Sequence, residues 1–208
     1  MAVYHGPSCR KCRALGLKLF LKGERCVTQK CAFEKAPYPP GKDKTSRRKL
    51  KSYTEHLLEK QKAKTYYGVL ERQFRRYFKN AKQMPGQTGE NLVKILECRL
   101  DNVIYKSGFA SSRKQARQLI SHGNILLNGR KVTIPSLIVS KNDIISVKEK
   151  LKSSQELKDK IDYAYKSGIV PWLSLDPNNM SIKVLDIPSI EDIRVPFKAD
   201  TIVELYSR

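Results

Sequence analysis

Apolar side chains recur at helical spacing between Gly68 and Lys82, where Leu70, Phe74, Tyr77 and Phe78 share one side. Lys51 to Lys64 is compatible with an earlier helix whose apolar contacts are Leu57 and Leu58. After the break at Met84-Pro85-Gly86, a third helical pattern runs from Glu90 towards Ser107. It carries Leu92, Leu96, Leu100, Val103 and Ile104 on one side and stops at Gly108, which leaves Asp101 on the solvent side. Ser112-Arg113-Lys114-Gln115 has the form of a capping box, so a helix is expected from Arg113 to a stop at Gly123. Asn128-Gly129 joins Ile125-Leu126-Leu127 to Lys131-Val132-Thr133 and predicts a hairpin. A further strand is expected over Ile144 to Lys148. Ser154 can cap a helix that ends at Gly168. Beyond Val170-Pro171-Trp172 the pattern predicts short strands, around Ile182 to Ile187 and Thr201 to Tyr206.

These elements predict an α+β protein with an N-terminal metal-stapled segment, a helical body and an inserted helix–helix–β-hairpin domain. The expected divisions are 1–50 for a cysteine-bearing segment and basic arm, 51–92 for the helical body, and 93–150 for the helix–helix–hairpin domain. Residues 151–208 then supply a helix and short strands that pack back on the body. A chain of 208 residues can bury a real core in two linked units. No apolar run approaches a membrane span, and Met1 to Arg10 lacks the hydrophobic stretch of a signal peptide, so a cytosolic protein is expected.

Charge changes this picture more than composition does. The chain carries a formal net charge of +21. Residues 1–90 hold 22 Lys/Arg against 7 Asp/Glu, residues 91–150 hold 11 against 4, and residues 151–208 hold 8 against 9. An excess of this kind favours a polyanion, because each phosphate contact releases counterions. A basic amphipathic terminus or lipidation site, which a membrane partner would require, is not evident. The neutral tail suits packing against protein better than binding phosphates.

The positive charge is also patterned. Lys42 to Lys51 forms a basic arm. Arg72, Arg75, Arg76, Lys79 and Lys82 lie opposite the apolar side of their helix, and Arg113, Lys114, Arg117, Gln118 and Ser121 cover one half of the capped helix. The expected nucleic-acid contacts are therefore Lys44, Arg47, Arg48 and Lys49 on the arm, and Arg72, Arg75, Arg76 and Lys79 on the body helix. Arg113, Lys114, Arg117, Gln118 and His122 on the capped helix join Arg130 and Lys131 on the hairpin.

Cys9, Cys12, Cys26 and Cys31 form two short-spaced pairs separated by a loop, a spacing that lets four thiolates converge on one tetrahedral ion. Zn²⁺ is the first reading, and a 4Fe–4S cluster, which takes the same four ligands, is the second. Four protein ligands leave no open position for catalysis. Cys98, in the third helical pattern, reads as a small buried hydrophobe.

The same residues carry a family resemblance. Cys9 to Cys12, Leu19-Phe20-Leu21-Lys22-Gly23, Arg25-Cys26 and Lys30-Cys31 resemble the zinc-bearing N-terminus of the bacterial small-subunit ribosomal protein four family (uS4). Tyr67 to Phe78 is similar to its helical body. Leu96 to Val103, Ser112 to Gly123, Asn128-Gly129 and Pro135-Ser136 resemble its RNA-binding domain, and Ile202-Val203-Glu204 its closing strand. Lys42-Asp43 departs from the family pattern after Pro39-Pro40-Gly41. The resemblance implies a non-enzymatic protein that binds 16S-type ribosomal RNA early in small-subunit assembly. It further implies contacts with neighbouring small-subunit proteins, the fifth among them, a place near the path of mRNA, and an influence on decoding accuracy.

Two alternatives use the same RNA-binding domain: a free RNA-binding regulator, and a pseudouridine synthase-like enzyme. Arg99-Leu100-Asp101 coincides with a string found around the catalytic aspartate of those synthases. The chain leaves no room for their large catalytic domain, and His5, His56 and His122 lack an evident nucleophile partner.

Overall fold

A computed structural model describes residues 4–41 and 52–207. The arm residues Lys44, Arg47, Arg48 and Lys49 lie outside the described residues. The chain divides into two compact units, one formed by Met1–Val93 with Val195–Arg208 and the other by Lys94–Arg194.

In the first unit, α1 (Ser8–Leu15), a single 3₁₀ turn (Gly23–Cys26) and α2 (Ala32–Lys35) form the cysteine-bearing knuckle. The helices α3 (Ser52–Tyr67) and α4 (Glu71–Gln83) and the start of α5 (Thr88–Glu97) make the body. On α4 the helical period buries Phe74, Tyr77 and Ala81 and turns the cationic positions to solvent.

The segment expected as a closing strand, Thr201 to Tyr206, is instead helical, within the terminal helix Ala199–Ser207 that packs on α3. Its β-branched residues favour a strand locally, but tertiary contacts outweigh that preference. Ile202 is fully buried, and Tyr206, one helical turn later, stacks on Phe78 with ring centroids 4.5 Å apart.

Glu71 ties this unit together. Its carboxylate accepts hydrogen bonds from Lys60 (3.1 Å), Lys64 (2.7 Å), Arg75 (3.3 Å) and the Tyr206 hydroxyl (3.0 Å). Partial burial pushes the Glu71 carboxyl up, but the hydrogen bonds and charges of Lys64 and Lys60 outweigh it and hold the carboxyl at about 2. Burial and the facing carboxylate push the Tyr206 hydroxyl upward. A depressed carboxyl stabilises the fold above its unfolded value of about 4.5, and that contribution is lost as pH falls towards about 2. Glu71→Gln should therefore lower the urea midpoint at neutral pH, and its deficit against the parent should close as unfolding is followed down through that window.

The second unit contains the end of α5, α6 (Leu100–Lys106), α7 (Arg113–Ser121), α8 (Glu149–Lys152) and α9 (Gln155–Ser167). With them is a five-stranded antiparallel sheet built from β1 (Ile125–Leu127), β2 (Arg130–Val132), β3 (Ile144–Val147), β4 (Leu173–Asp176) and β5 (Ser181–Val184). Its order is β2-β1-β3-β5-β4. The β1–β2 turn holds Asn128 and Gly129 at φ of 49° and 77°, the left-handed pair that a two-residue hairpin requires. Asp143 clamps this turn by accepting from the Asn128 amide (2.8 Å) and from Ser140 N–H (2.7 Å).

Two expectations change here. The pattern from Glu90 to Ser107 is two helices, because Arg99 is extended (φ −69°, ψ 136°) and forms an isolated bridge with Ile138. Leu100 N–H donates to Leu137 O and Val139 N–H to Cys98 O, so the break satisfies backbone groups across the unit. Burial pushes the Cys98 thiol up to about 12, as a buried hydrophobe requires. The tail also divides differently: Ile145 of β3 pairs with Ile182 of β5, so residues 151–194 complete this unit and only Val195–Arg208 joins the body. The helix α9 begins after Ser154, whose side chain makes no capping bond.

Candidate nucleic-acid interface

The expected contacts separate into an exposed group and a buried group. On α4, Arg72, Arg75, Arg76, Lys79 and Lys82 are all exposed along one face. Arg75 keeps most of its surface while bonding Glu71. This face is built by the apolar period beneath it, and among its side chains the only acid is the partly buried Glu71.

On α7, Ser112 Oγ accepts from Gln115 N–H, which is the expected cap. The return bond shifts by one residue, since Ser111 N–H donates to Gln115 Oε1 at 2.8 Å. Lys114, Gln118, Ser121 and His122 face solvent, as do Arg130 and Lys131 on the hairpin. The end of α7 and the hairpin meet at Gly123 (φ 67°), where an added Cβ would stand 2.1 Å from Lys131 Cε. The backbone angle there favours glycine, while the contact is with the far end of a flexible lysine that can shift aside. Lys131 consequently lies beside the helix terminus and extends its polar face.

Arg113 and Arg117 turn inward, against the expectation of phosphate contact; each is 8% exposed. Arg117 Nε donates to Asp101 Oδ2 at 2.6 Å, and Arg99 grips the same carboxylate with bonds of 3.0 and 2.7 Å. Arg113 Nε donates to Asn102 Oδ1 (2.8 Å) and its guanidinium lies over the Tyr105 ring. Asn102 in turn donates to Glu97 Oε2 at 2.7 Å. The two arginines thus fasten α7 onto α6 and so position its exposed residues. Arg99, Glu97 and Asn102 were not anticipated as parts of this network. The signal for them was a run of charges set among apolar positions on both sides, Leu96 and Leu100 through Ile104.

Asp101, expected on the solvent side, is 1% exposed. The helix break at Arg99 rotates it into the core, where two arginines occupy its oxygens. A carboxylate held this way has no path to attack a substrate.

In the N-terminal knuckle, Cys12, Cys26 and Cys31 are buried and Cys9 is partly exposed. Lys22 N–H donates to Cys26 Sγ at 3.4 Å. Burial pushes the Cys12 thiol up, a backbone bond from Leu19 opposes this, and the nearby Cys26, Cys9 and Cys31 add to the rise. The other three thiols are thus close enough to act on Cys12. Among the described residues, no group of three or more His, Cys, Asp or Glu side chains stands in an arrangement that could hold a metal ion.

Residues 3–97 match the family model described as ribosomal protein S4/S9 N-terminal domain, and residues 98–145 match the S4 domain. The chain is similar along its full length to the small ribosomal subunit protein uS4 of Caldicellulosiruptor saccharolyticus, at 54% identity with 100% of both chains covered. The uS4 proteins of Acetivibrio thermocellus and Clostridioides difficile are 51% and 52% identical, again over 100% of each chain. The chain belongs to the uS4 family. The S4-domain match ends at residue 145, inside β3, whereas the compact unit continues through β4 and β5 to Arg194. The strands beyond the match complete the sheet whose first hairpin carries Arg130 and Lys131.

Proposed function

We propose that this chain is a structural component of the small ribosomal subunit that binds 16S-type ribosomal RNA and performs no catalysis. The observation that carries this is full-length similarity, at about half identity, to proteins named small ribosomal subunit protein uS4. The exposed cations of α4 and the α7–hairpin face supply the physical means. Duplex RNA offers phosphates and a shallow minor groove, so recognition rests on junction shape and charge. The basic arm, with Lys44, Arg47, Arg48 and Lys49, is proposed as a third phosphate-binding segment. Neighbouring small-subunit proteins, the fifth among them, and mRNA are the further partners; the site of action is the cytoplasmic ribosome. Among the described residues no helix is long and apolar enough to cross a membrane.

We also propose that Cys9, Cys12, Cys26 and Cys31 hold one structural Zn²⁺. Their spacing, the burial of three of them, the backbone donors on Cys12 and Cys26, and the closeness of the other three thiols to Cys12 support this. The ion would neutralise crowded thiolates and staple a knuckle that has little apolar core of its own.

Equilibrium binding to the rRNA as a function of salt tests the main reading. Neutralising Arg72, Arg76 and Lys79 together should weaken binding and lower the slope of log K against log salt by about one unit for each phosphate no longer engaged. The full chain should also stay with small subunits through a high-salt wash. Release in that wash would favour a free regulator, and an unchanged slope would remove α4 from the interface.

A further inference from the structure

We propose that Phe20, in the N-terminal knuckle, is a stacking platform for an unpaired base of the bound RNA. This deepens the RNA-binding reading and rests on it. Among the described residues the non-glycine positions with positive φ are Phe20, Asn128, Asn142 and Met180. Asparagine tolerates that conformation, and Met180 is buried, at 7% exposure. Phe20, at φ 52°, is neither an asparagine nor buried: it is 43% exposed.

The reversed backbone has a local cause. Leu19 on one side is fully buried and bonds Cys12 through its backbone, while Lys22 on the other donates to Cys26 Sγ. The chain must turn sharply between these two anchors. Glycine would make the turn without steric conflict, whereas a bulky aromatic makes it against its preference. The ring is only partly covered, with 43% of the residue exposed. Strained positions of this sort gather where the side chain serves a ligand.

The surroundings indicate which ligand. Lys18 places its ammonium 5.4 Å from the Phe20 ring centroid and is itself held by an ion pair with Glu34. The remaining exposed ring area is left to a flat partner. Lys22, Arg25 and Lys30 are at least partly exposed in the same knuckle. An exposed ring among cations fits a nucleotide, the base on the aromatic and the phosphates on the lysines and arginine. The same charges repel another basic protein surface.

The test uses the full chain and transcribed 16S-type rRNA, with Phe20→Gly and Phe20→Trp. Phe20→Gly should leave thermal melting equal or raised, because glycine suits the backbone angle. Its rRNA affinity should fall on the order of tenfold at fixed salt. The slope of log K against log salt should stay unchanged, since stacking releases no counterions, and Phe20→Trp should restore affinity. An affinity for Phe20→Gly within about twofold of the parent, on the scale of a lost stacked base, would overturn the platform. So would a reduced salt slope. Unchanged RNA affinity with impaired incorporation into subunits would assign the ring to a protein neighbour and overturn it equally. Failure of the parent chain to bind rRNA overturns the underlying reading as well, and is distinguishable because both variants then match the parent.

Discussion

Asp101→Asn should destabilise the second unit by about 3–5 kcal/mol, the usual result of removing one partner from a buried ion pair. The side chain keeps its shape, so no cavity term enters. What changes is that the Arg99 and Arg117 guanidiniums, with side chains 4% and 10% exposed, lose the carboxylate that both of them grip. Charges so far from water cannot be rehydrated without opening the α6–α7 contact. A domain of this size has a total stability of about 5–15 kcal/mol, so the variant should be close to unfolding at moderate temperature. Replacing all three residues by apolar ones, as in Arg99→Met, Asp101→Leu, Arg117→Met, should cost less than the single change, because it removes the charges along with their desolvation. Urea unfolding of the three proteins checks this order. A single-variant loss below about 1 kcal/mol would show that the triad is no stronger than a surface pair.

The triad also shows where sequence reading reaches its limit. Periodicity on α7 places Arg113 and Arg117 on the polar half of the helix, and that placement is correct as far as it goes. Whether the polar half meets phosphates or a buried acid depends on Asp101 and Asn102, and their positions depend on the break at Arg99. That break leaves no trace in the apolar pattern, since Leu96, Leu100, Val103 and Ile104 are buried on both sides of it. It is imposed from a distance by the bridge to Ile138 and the bond from Leu100 to Leu137.

Elements decided by local chemistry were legible. The Ser112 cap, the Asn128-Gly129 hairpin and the α4 stripe follow from residues within one or two turns of each other. The terminal helix was not legible, because Ile202 and Tyr206 are helical only against α3 and the Phe74 and Phe78 rings. The pairing of β3 with β5 is equally non-local, and with it the extension of the second unit to Arg194.

Removing the proposed zinc should have the other large effect, confined to the N-terminal knuckle. Metal analysis of purified protein should give one zinc per chain, and strong chelation or Cys12→Ser should abolish it. A structural zinc in a small finger contributes about 10–16 kcal/mol of apparent binding free energy at neutral pH, far more than a knuckle of this kind can draw from apolar burial. Cys12, Cys26 and Cys31 supply much of that burial themselves, and Leu19 is the one fully buried aliphatic side chain between them. Without the ion, burial and mutual repulsion favour protonated thiols, as the raised Cys12 thiol indicates, and neutral thiols have weak hold on the backbone donors at Leu19 and Lys22. Protease cleavage within residues 4–41 should then rise sharply. The second unit, with its own core, should melt as before. Iron with sulfide in place of zinc would assign the same four ligands to a 4Fe–4S cluster, and a metal-free protein with a protected knuckle would end both readings. Loss of the ion should also dissolve the turn that holds Phe20 outward, so chelation and Phe20→Gly should lower rRNA affinity without adding to each other.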